Sequence, residues 1–337
     1  MTALNSTKTS AWQTALVQAI TDPSELLTYL ELDQALLPAA KAVTKLFPLI
    51  VPRGFAARME KGNPDDPLLR QIMPMNIELE EAPGFQTDPL QESRVNPVPG
   101  LLHKYHSRVL LTFVGTCAVN CRFCFRRHFP YTENNPGTEG WNQALAYIAN
   151  DETISEVILS GGDPLVANDK MLLAFTERLN QISHVKRLRI HSRMPIVLPE
   201  RISPDFIAWT RTLNQKVIMV THCNHAQEIN EPVKQAIKKM TDAGITMLNH
   251  TVLLKGVNDN IETLVALSEA LFENGVLPYY IHMLDKVQGA AHFHVKLKMA
   301  QQLHAALQQR LSGYMVPKFV FEEPGAPAKV SLDLYTG

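Results

Sequence analysis

The sequence predicts an α/β protein, an incomplete (βα)6 TIM-like barrel preceded by a mainly helical N-terminal extension. From residue 108 onward, short β-branched runs alternate with stretches of helical period. The runs are nearly continuous in apolar residues, which is typical of parallel strands covered on both faces by crossover helices. Six such repeats favour an incomplete barrel over a doubly wound sheet.

Seven of these runs are predicted as strands, and the stretches between them as helices. The strands are expected at 109–114, 156–160, 187–191, 216–221, 246–254, 279–284 and 318–321. The helices are expected near 138–150, 169–182, 203–213, 229–243, 260–274 and 294–312. In barrels of this kind the active site lies at the carboxyl ends of the strands.

The first 100 residues have a different character. Prolines break this part into short helical segments, and Asp22-Pro23-Ser24-Glu25 has the pattern of a helix start. We expect residues 1–100 to form a helical cap region. Residues 101–337 are expected to form the partial barrel, with a lysine-bearing loop near its C-terminal end.

Composition and charge exclude several classes of protein. A chain of 337 residues with 45% hydrophobic residues can bury a sizeable core. The formal net charge of -1 gives no field that would attract nucleic acid or an anionic membrane surface. The sequence shows neither a signal peptide nor a run of about 18 apolar residues. We expect a cytoplasmic protein that acts on a small molecule, with no nucleic-acid or membrane partner.

Reactive side chains follow the predicted strands one after another. After six of the seven strands come Cys117 to Cys124, Ser160-Gly161-Gly162-Asp163, Ser192-Arg193, His222, Asp285 and the segment 322–329. Because the carboxyl ends of parallel strands meet at one rim of a barrel, these residues are expected to share one site.

Three of the four cysteines lie within eight residues, as Cys117-Ala-Val-Asn-Cys121-Arg-Phe-Cys124. This spacing suits a metal centre better than a disulfide framework. Electron-transfer clusters of the 4Fe-4S type generally use four cysteines, so three would leave one iron open to another ligand. The alternatives are a structural zinc site completed by His128 or Cys223, and three unbound thiols.

The CxxxCxxC spacing with an aromatic residue before the last cysteine resembles the signature of the radical S-adenosylmethionine (SAM) superfamily. The resemblance implies a 4Fe-4S cluster on Cys117, Cys121 and Cys124, with SAM bound to the open iron and cleaved to a 5′-deoxyadenosyl radical. Ser160-Gly161-Gly162-Asp163 matches the glycine-rich turn that meets SAM in this superfamily. Without the cysteines, Gly-Gly-Asp would be an ordinary turn.

A closer resemblance, from about residue 47 to 334, is to the lysine 2,3-aminomutase family. The matching stretches are Tyr105-His106-Ser107-Arg108-Val109-Leu110, Cys124-Phe125-Arg126-Arg127, Leu159 to Asp163, Arg193-Met194-Pro195, His222-Cys223-Asn224-His225, Leu253 to Asp259, Pro278-Tyr279-Tyr280 and Gly313 to Pro317. The resemblance implies that Arg193 and His222 bind SAM. It also implies a second cofactor, pyridoxal 5′-phosphate (PLP), held as a Schiff base by Lys329, with its phosphate on Arg108.

The loop around Lys329 reads Glu322-Glu323-Pro324-Gly325-Ala326-Pro327-Ala328-Lys329 and lacks the polyglycine run of the family. Without the resemblance, Lys329 and Arg108 would be interpreted as solvated surface residues.

The same resemblance implies three substrate contacts. Arg126 would hold the carboxylate of an amino acid, and Asp285 and Glu322 would pair with a distal ammonium group, which indicates L-lysine. The family has Asp at the position of Glu322. Either acid could instead be a solvated residue at a strand end.

The implied reaction moves the α-amino group of L-lysine to the β-carbon. The chain resembles the bacterial form that makes (R)-β-lysine for modification of elongation factor P. The expected partners are L-lysine, a reductant such as flavodoxin, and the enzyme that transfers the product to elongation factor P.

The chain ends eight residues after Lys329, which favours a monomer or small assembly over a zinc-linked tetramer, although the oligomeric state is left open. The alternatives are a catabolic lysine 2,3-aminomutase, a radical enzyme acting on another amino acid, and a non-enzymatic iron or zinc protein.

Overall fold

The structure, a computed structural model, describes residues 10–131 and 137–332. The outer ends of the two predicted regions, residues 1–9 and 333–337, therefore lie outside the described residues, as does the end of the stretch that resembles the aminomutases.

The described N-terminal region contains five short α-helices joined by turns and loops. They are α1 (Ala11–Val17), α2 (Pro23–Tyr29), α3 (Leu37–Thr44), α4 (Arg53–Ala56) and α5 (Pro67–Arg70). The predicted start at Asp22 is present, since its carboxylate accepts a hydrogen bond from the backbone N–H of Ser24. Asp66 caps α5 in the same way. Aspartates before prolines therefore set these boundaries, because proline is favoured in the first turn and the carboxylate satisfies a free N–H.

The second region is built on one nine-stranded sheet whose strands follow chain order. The strands are β1 (Leu101–Tyr105), β2 (Arg108–Val114), β3 (Glu156–Gly161), β4 (Arg187–Ser192), β5 (Lys216–His222), β6 (Thr246–Val252), β7 (Leu277–His282), β8 (Lys318–Phe321) and β9 (Val330–Ser331). Strands β2 to β8 are parallel, and β1 and β9 pair antiparallel at the two ends. The predicted incomplete barrel and all seven predicted strands are confirmed, and β1 and β9 were missed.

Helices connect the parallel strands. They are α6 (Gly137–Asn150), α7 (Asp169–Leu179), α8 (Met194–Val197), α9 (Pro204–Thr210), α10 (Glu231–Asp242), α11 (Ile261–Glu273) and α12 (Leu297–Arg310). Asn168, Ser203, Asn230 and Asn260 cap α7, α9, α10 and α11 through their side chains. These caps fix where four of the helices begin, because each side chain satisfies a free N–H of the first turn.

The N-terminal helices pack directly on the barrel. Trp12, Leu26 and Phe55 belong to the same buried hydrophobic cluster as Val157 and Met219 of the sheet. The division at residue 100 into a cap region and a barrel stays a prediction. In the part of the chain that the structure describes, no helix has the length and apolar character needed to span a membrane.

Candidate active site

A cavity of about 600 Å³ opens at the carboxyl ends of the strands. Every site residue predicted from the sequence lines it. These residues are Arg108, Cys117, Cys121, Cys124, Arg126, Ser160, Gly161, Gly162, Asp163, Arg193, His222, Asp285, Glu322 and Lys329. His128 and Cys223, the residues proposed to complete a zinc site, are not among those that line the cavity. The fold therefore gathers the predicted site, whereas the individual roles of these residues stay predictions.

The cysteine loop follows β2 and is held by the N-terminal region. The amide N–H of Asn120 donates to Ile50 O at 3.3 Å, and that of Arg122 donates to Gln71 O at 2.9 Å. The guanidinium of Arg122 is fully buried and binds both carboxylate oxygens of Glu78. Segments between and after the N-terminal helices therefore position the cysteine loop from outside the barrel.

The thiols face a site that can hold a cationic centre. Burial, followed by the proximity of Cys124, raises the pKa of Cys117 well above its usual value. Burial, followed by the proximity of Cys121, raises the pKa of Cys124 to about 11. Thiolates bind iron, and three of them crowded in a buried site are stabilised by positive charge. The three cysteines therefore fit a 4Fe-4S cluster, which leaves one iron free.

The glycines of the Ser160–Asp163 turn are required by close packing against the cysteine loop. Gly161 has φ of +116°, and a Cβ there would lie 2.6 Å from Val114 O. A Cβ on Gly162 would lie 2.3 Å from Thr116 O. The Gly162 N–H donates to Val114 O at 2.7 Å. Only glycine allows the turn and the start of the cysteine loop to approach this closely.

Asp163 and Arg193 connect the turn to the cysteine loop. The Asp163 carboxylate accepts hydrogen bonds from Ser192 Oγ at 2.7 Å and from the backbone N–H groups of Leu165, Arg193 and Met194. The Arg193 guanidinium donates to Cys121 Sγ at 2.7 Å and pairs with Glu228 at 3.0 Å. Asp163 therefore fixes the backbone at the end of β4, and Arg193 places a cation on one of the thiols.

Four histidines form the wall of the cavity between its two ends. His191, His222, His250 and His282 end strands β4 to β7 and all line the cavity. Burial lowers the pKa of His222 to about 4 and those of the other three well below the usual value, so the rings are neutral at pH 7. The ligand atoms of His191, His222 and His250 lie within 4.8 Å of one another. Neutral imidazoles in this arrangement can accept hydrogen bonds or coordinate a divalent cation.

The other end of the cavity carries Lys329 and a carboxylate that is already paired. Lys329 Nζ contacts Glu322 Oε2, and Lys104 Nζ of β1 contacts Glu322 Oε1 at 2.7 Å. Tyr105 Oη donates to Glu322 Oε1 at 3.2 Å. Burial alone would raise the pKa of Glu322, but Lys329 and then Lys104 hold it well below its usual range. Glu322 therefore carries a negative charge that two ammonium groups balance.

Asp285, which follows β7, has no directly paired cation among the described residues. Among the described residues, none forms a hydrogen bond or ion pair with its carboxylate. Burial, followed by the proximity of Glu322, raises the pKa of Asp285 to about 7. A cationic ligand placed beside Asp285 would favour its ionised form. Of the two predicted ammonium contacts, Asp285 is thus the one that this structure leaves available.

The two predicted anion-binding arginines differ in their surroundings. The Arg108 guanidinium lies over the ring of Tyr105, 4.6 Å from its centroid. Arg126, by contrast, is bound by Glu92 of the N-terminal region, with Nε to Oε2 at 2.8 Å and Nη2 to Oε1 at 2.7 Å. Arg108, the first residue of β2, also lines the cavity, and its guanidinium can take a phosphate, which fits PLP anchored on Lys329.

Sequence analysis missed several residues of this site. They are Glu92, Lys104, Tyr105, His191, His250 and His282. The histidines could have been found, because each stands within the last three residues of a strand. No sequence motif marks Glu92 or Lys104, because both lie outside the βα repeats. Tertiary packing places them at the cavity.

Comparison with known proteins agrees with this geometry. A family model described as a 4Fe-4S single cluster domain matches residues 107–192. The L-lysine 2,3-aminomutase of Escherichia coli (strain K12) is 51% identical over 332 residues, which cover 98% of this chain and 97% of that protein. The L-lysine 2,3-aminomutase of Clostridium subterminale is 34% identical over 94% of this chain and 76% of that protein.

A more distant similarity is found among solved structures. A radical SAM methyltransferase from Sphaerobacter thermophilus aligns with a TM-score of 0.45 at 18% identity, over 66% of this chain and 68% of that chain. This similarity is too low to bear on function, so the assignment rests on the near-full-length sequence matches. The chain belongs to the lysine 2,3-aminomutase family, isomerases of the radical SAM class that work with a 4Fe-4S cluster, SAM and PLP.

Proposed function

We propose that this protein converts L-lysine to (R)-β-lysine, and that the product is used to modify elongation factor P. One observation carries the first part. The cysteine triad, Lys329, two arginines and the unpaired Asp285 all face one cavity of about 600 Å³. That volume suits a small amino acid together with its cofactors.

The proposed roles follow the charges in the cavity. Arg126 binds the carboxylate of lysine through its planar fork of N–H donors. Asp285 binds the distal ammonium, which supplies the opposite charge that its buried carboxylate lacks. Glu322 adds a second negative charge nearby, which Lys104 and Lys329 balance in the cofactor-free protein. A cation at one end and an acid at the other select a diamino acid of fixed length.

The cofactor anchors lie at opposite ends of the same space. Cys117, Cys121 and Cys124 would hold the cluster, and Lys329 and Arg108 would hold PLP. When bound, the cofactors supply removal and return of a hydrogen atom and a carbonyl group that carries the migrating nitrogen. The chain holds the lysine carbons between the two anchors and excludes water from them.

The test is an anaerobic assay with reconstituted cluster, PLP, a reductant such as flavodoxin, SAM and L-lysine. Products are followed by mass spectrometry and chiral chromatography. We expect (R)-β-lysine from the wild type and none from Cys121→Ala or Lys329→Ala. The matched controls are Cys223→Ala, at a buried cysteine outside the cavity, and Lys318→Ala, at an exposed lysine of β8. SAM cleavage without formation of β-lysine would support the radical chemistry and contradict L-lysine as the substrate.

The elongation factor P role is supported by the resemblance to the bacterial (R)-β-lysine-forming type. We expect a cytoplasmic enzyme whose product is taken up by the enzyme that transfers it to elongation factor P. Incubation of elongation factor P with that transferring enzyme, ATP and the reaction mixture should add the mass of one lysine. If the factor accepts L-lysine as readily as the product, this role is wrong and a catabolic aminomutase is favoured.

A further inference from the structure

Arg126, the proposed carboxylate-binding residue, forms a buried ion pair with Glu92, to which the proposed reaction gives no role. Both carboxylate oxygens of Glu92 are used, at 2.8 Å and 2.7 Å from Nε and Nη2. Only 6% of the Arg126 side chain and 10% of the Glu92 side chain are exposed. This two-point contact has the geometry with which an arginine binds a free carboxylate.

The remaining donors of Arg126 are directed elsewhere. Nη1 donates to Ser160 Oγ at 3.2 Å and to Gly161 O at 3.3 Å, which fixes the guanidinium against the turn after β3. The paired Nε and Nη2 edge is therefore the one that Glu92 occupies. A second carboxylate can use that edge only after Glu92 has left it.

Glu92 belongs to a short turn that precedes the strands of the barrel and packs against β1. It begins the 3-10 turn Glu92–Val95, whose preceding residue Gln91 has a left-handed backbone with φ of +49°. Its own N–H donates to Asp88 Oδ1 at 3.3 Å, a long hydrogen bond. The carboxylate is thus carried by a short 3-10 turn and not by a strand or an α-helix of the barrel.

The pair also forms a wall between two cavities. The inner one is the active-site cavity, and an outer one of about 560 Å³ lies on the other side. Glu92, Phe125 and Arg126 line both. Separation of Glu92 from Arg126 would therefore join the two spaces.

We propose that Glu92 is a latch that occupies the site of the substrate carboxylate on Arg126, and that the incoming amino acid opens the wall by replacing it. This inference rests on the proposed carboxylate-binding role of Arg126. It makes the free α-carboxylate the group that releases Glu92 from Arg126. A diamine of similar length, such as cadaverine, cannot release the latch because it has no group to exchange with Glu92.

The first test is kinetic. Glu92→Gln keeps the shape of the side chain and removes the charge that competes with the substrate. The KM for L-lysine should fall by about tenfold, the scale of one lost charge-assisted contact. Glu81→Gln, at an exposed acid of the same region, should leave the KM unchanged. A KM that stays the same or rises in Glu92→Gln would overturn the latch, and a rise would make Glu92 a positioning residue for Arg126.

The second test follows the segment itself by hydrogen exchange in the wild-type holoenzyme. L-Lysine should accelerate exchange of the amides at 91–95, and cadaverine should not. Acceleration without formation of β-lysine would keep the latch and reject the proposed reaction. Formation of β-lysine with no change in exchange would reject the latch alone. This readout also applies if the Glu92 variants fail to fold.

Discussion

Buried charges are stabilised in different ways at the two ends of the active-site cavity. At the cysteine end, the Asp163 carboxylate is held by three backbone N–H groups and by Ser192 Oγ. At the lysine end, the Glu322 carboxylate is held by other side chains, since Lys104 and Lys329 neutralise it. The first arrangement positions a permanent centre, whereas the second can exchange partners when a ligand enters.

The largest effect is expected from Glu78→Ala, which removes an ion pair behind the cysteine loop. Glu78 holds the buried guanidinium groups of Arg122 and Arg127, on either side of Cys124. Its removal leaves two buried cations without their carboxylate partner, at a cost of about 3–5 kcal/mol in the free energy of unfolding. Urea unfolding of the cofactor-free protein measures this cost. Reconstituted Glu78→Ala should also retain less cluster by visible absorption.

Exposed Glu80 provides the control, since Glu80→Ala should change neither unfolding nor cluster content measurably. Equal unfolding free energies for Glu78→Ala and Glu80→Ala would show that the cap does not brace the cysteine loop.

At the lysine end of the cavity, Asp285→Asn should weaken substrate binding and increase the stability of the fold. The variant loses the proposed contact with the substrate ammonium, so the KM for L-lysine should rise by about 10- to 100-fold, as expected for a buried charge-assisted contact. The unfolding free energy of the cofactor-free protein at pH 8 should rise on the order of 1–2 kcal/mol, because an unpaired buried carboxylate is removed. A drop in stability together with an unchanged KM would place Asp285 in the scaffold.

The pH dependence of the same residue follows from its pKa of about 7, raised by burial and then by Glu322. An acid whose folded pKa exceeds its unfolded value stabilises the fold when protonated, so this contribution is lost as the pH rises from about 4 to about 7. The stability difference between wild type and Asp285→Asn should therefore be present near pH 8 and shrink near pH 5. The KM of the wild type for L-lysine should rise as the pH falls below about 7. A stability difference that is independent of pH would contradict this assignment.

The contrast between the two ends also explains what could be predicted from the sequence. The cysteine end is encoded in local motifs, because a tight turn needs Gly161 and Gly162 and a cluster needs three nearby thiols. The strands carry a strong period-two or continuous apolar pattern, and their positions followed from it. Glu92 and Lys104, by contrast, meet Arg126 and Glu322 only through contacts between residues 34 and 218 positions apart in the chain. No local pattern specifies such pairs, and β9 is too short to leave a pattern of its own.

The smallest expected effect is that of Tyr105→Phe, which removes one of the three donors to Glu322. The Tyr105 hydroxyl lies 3.2 Å from Oε1, longer than the 2.7 Å contact of Lys104 with the same atom. Because both lysines still neutralise Glu322, the unfolding free energy should fall by no more than about 1 kcal/mol, and the KM for L-lysine should change by less than about threefold. Lys104→Met, which removes a charge, should exceed Tyr105→Phe in both measurements. The reverse order would mean that Glu322 is held by the neutral hydroxyl and that the two ammonium groups do not set its charge.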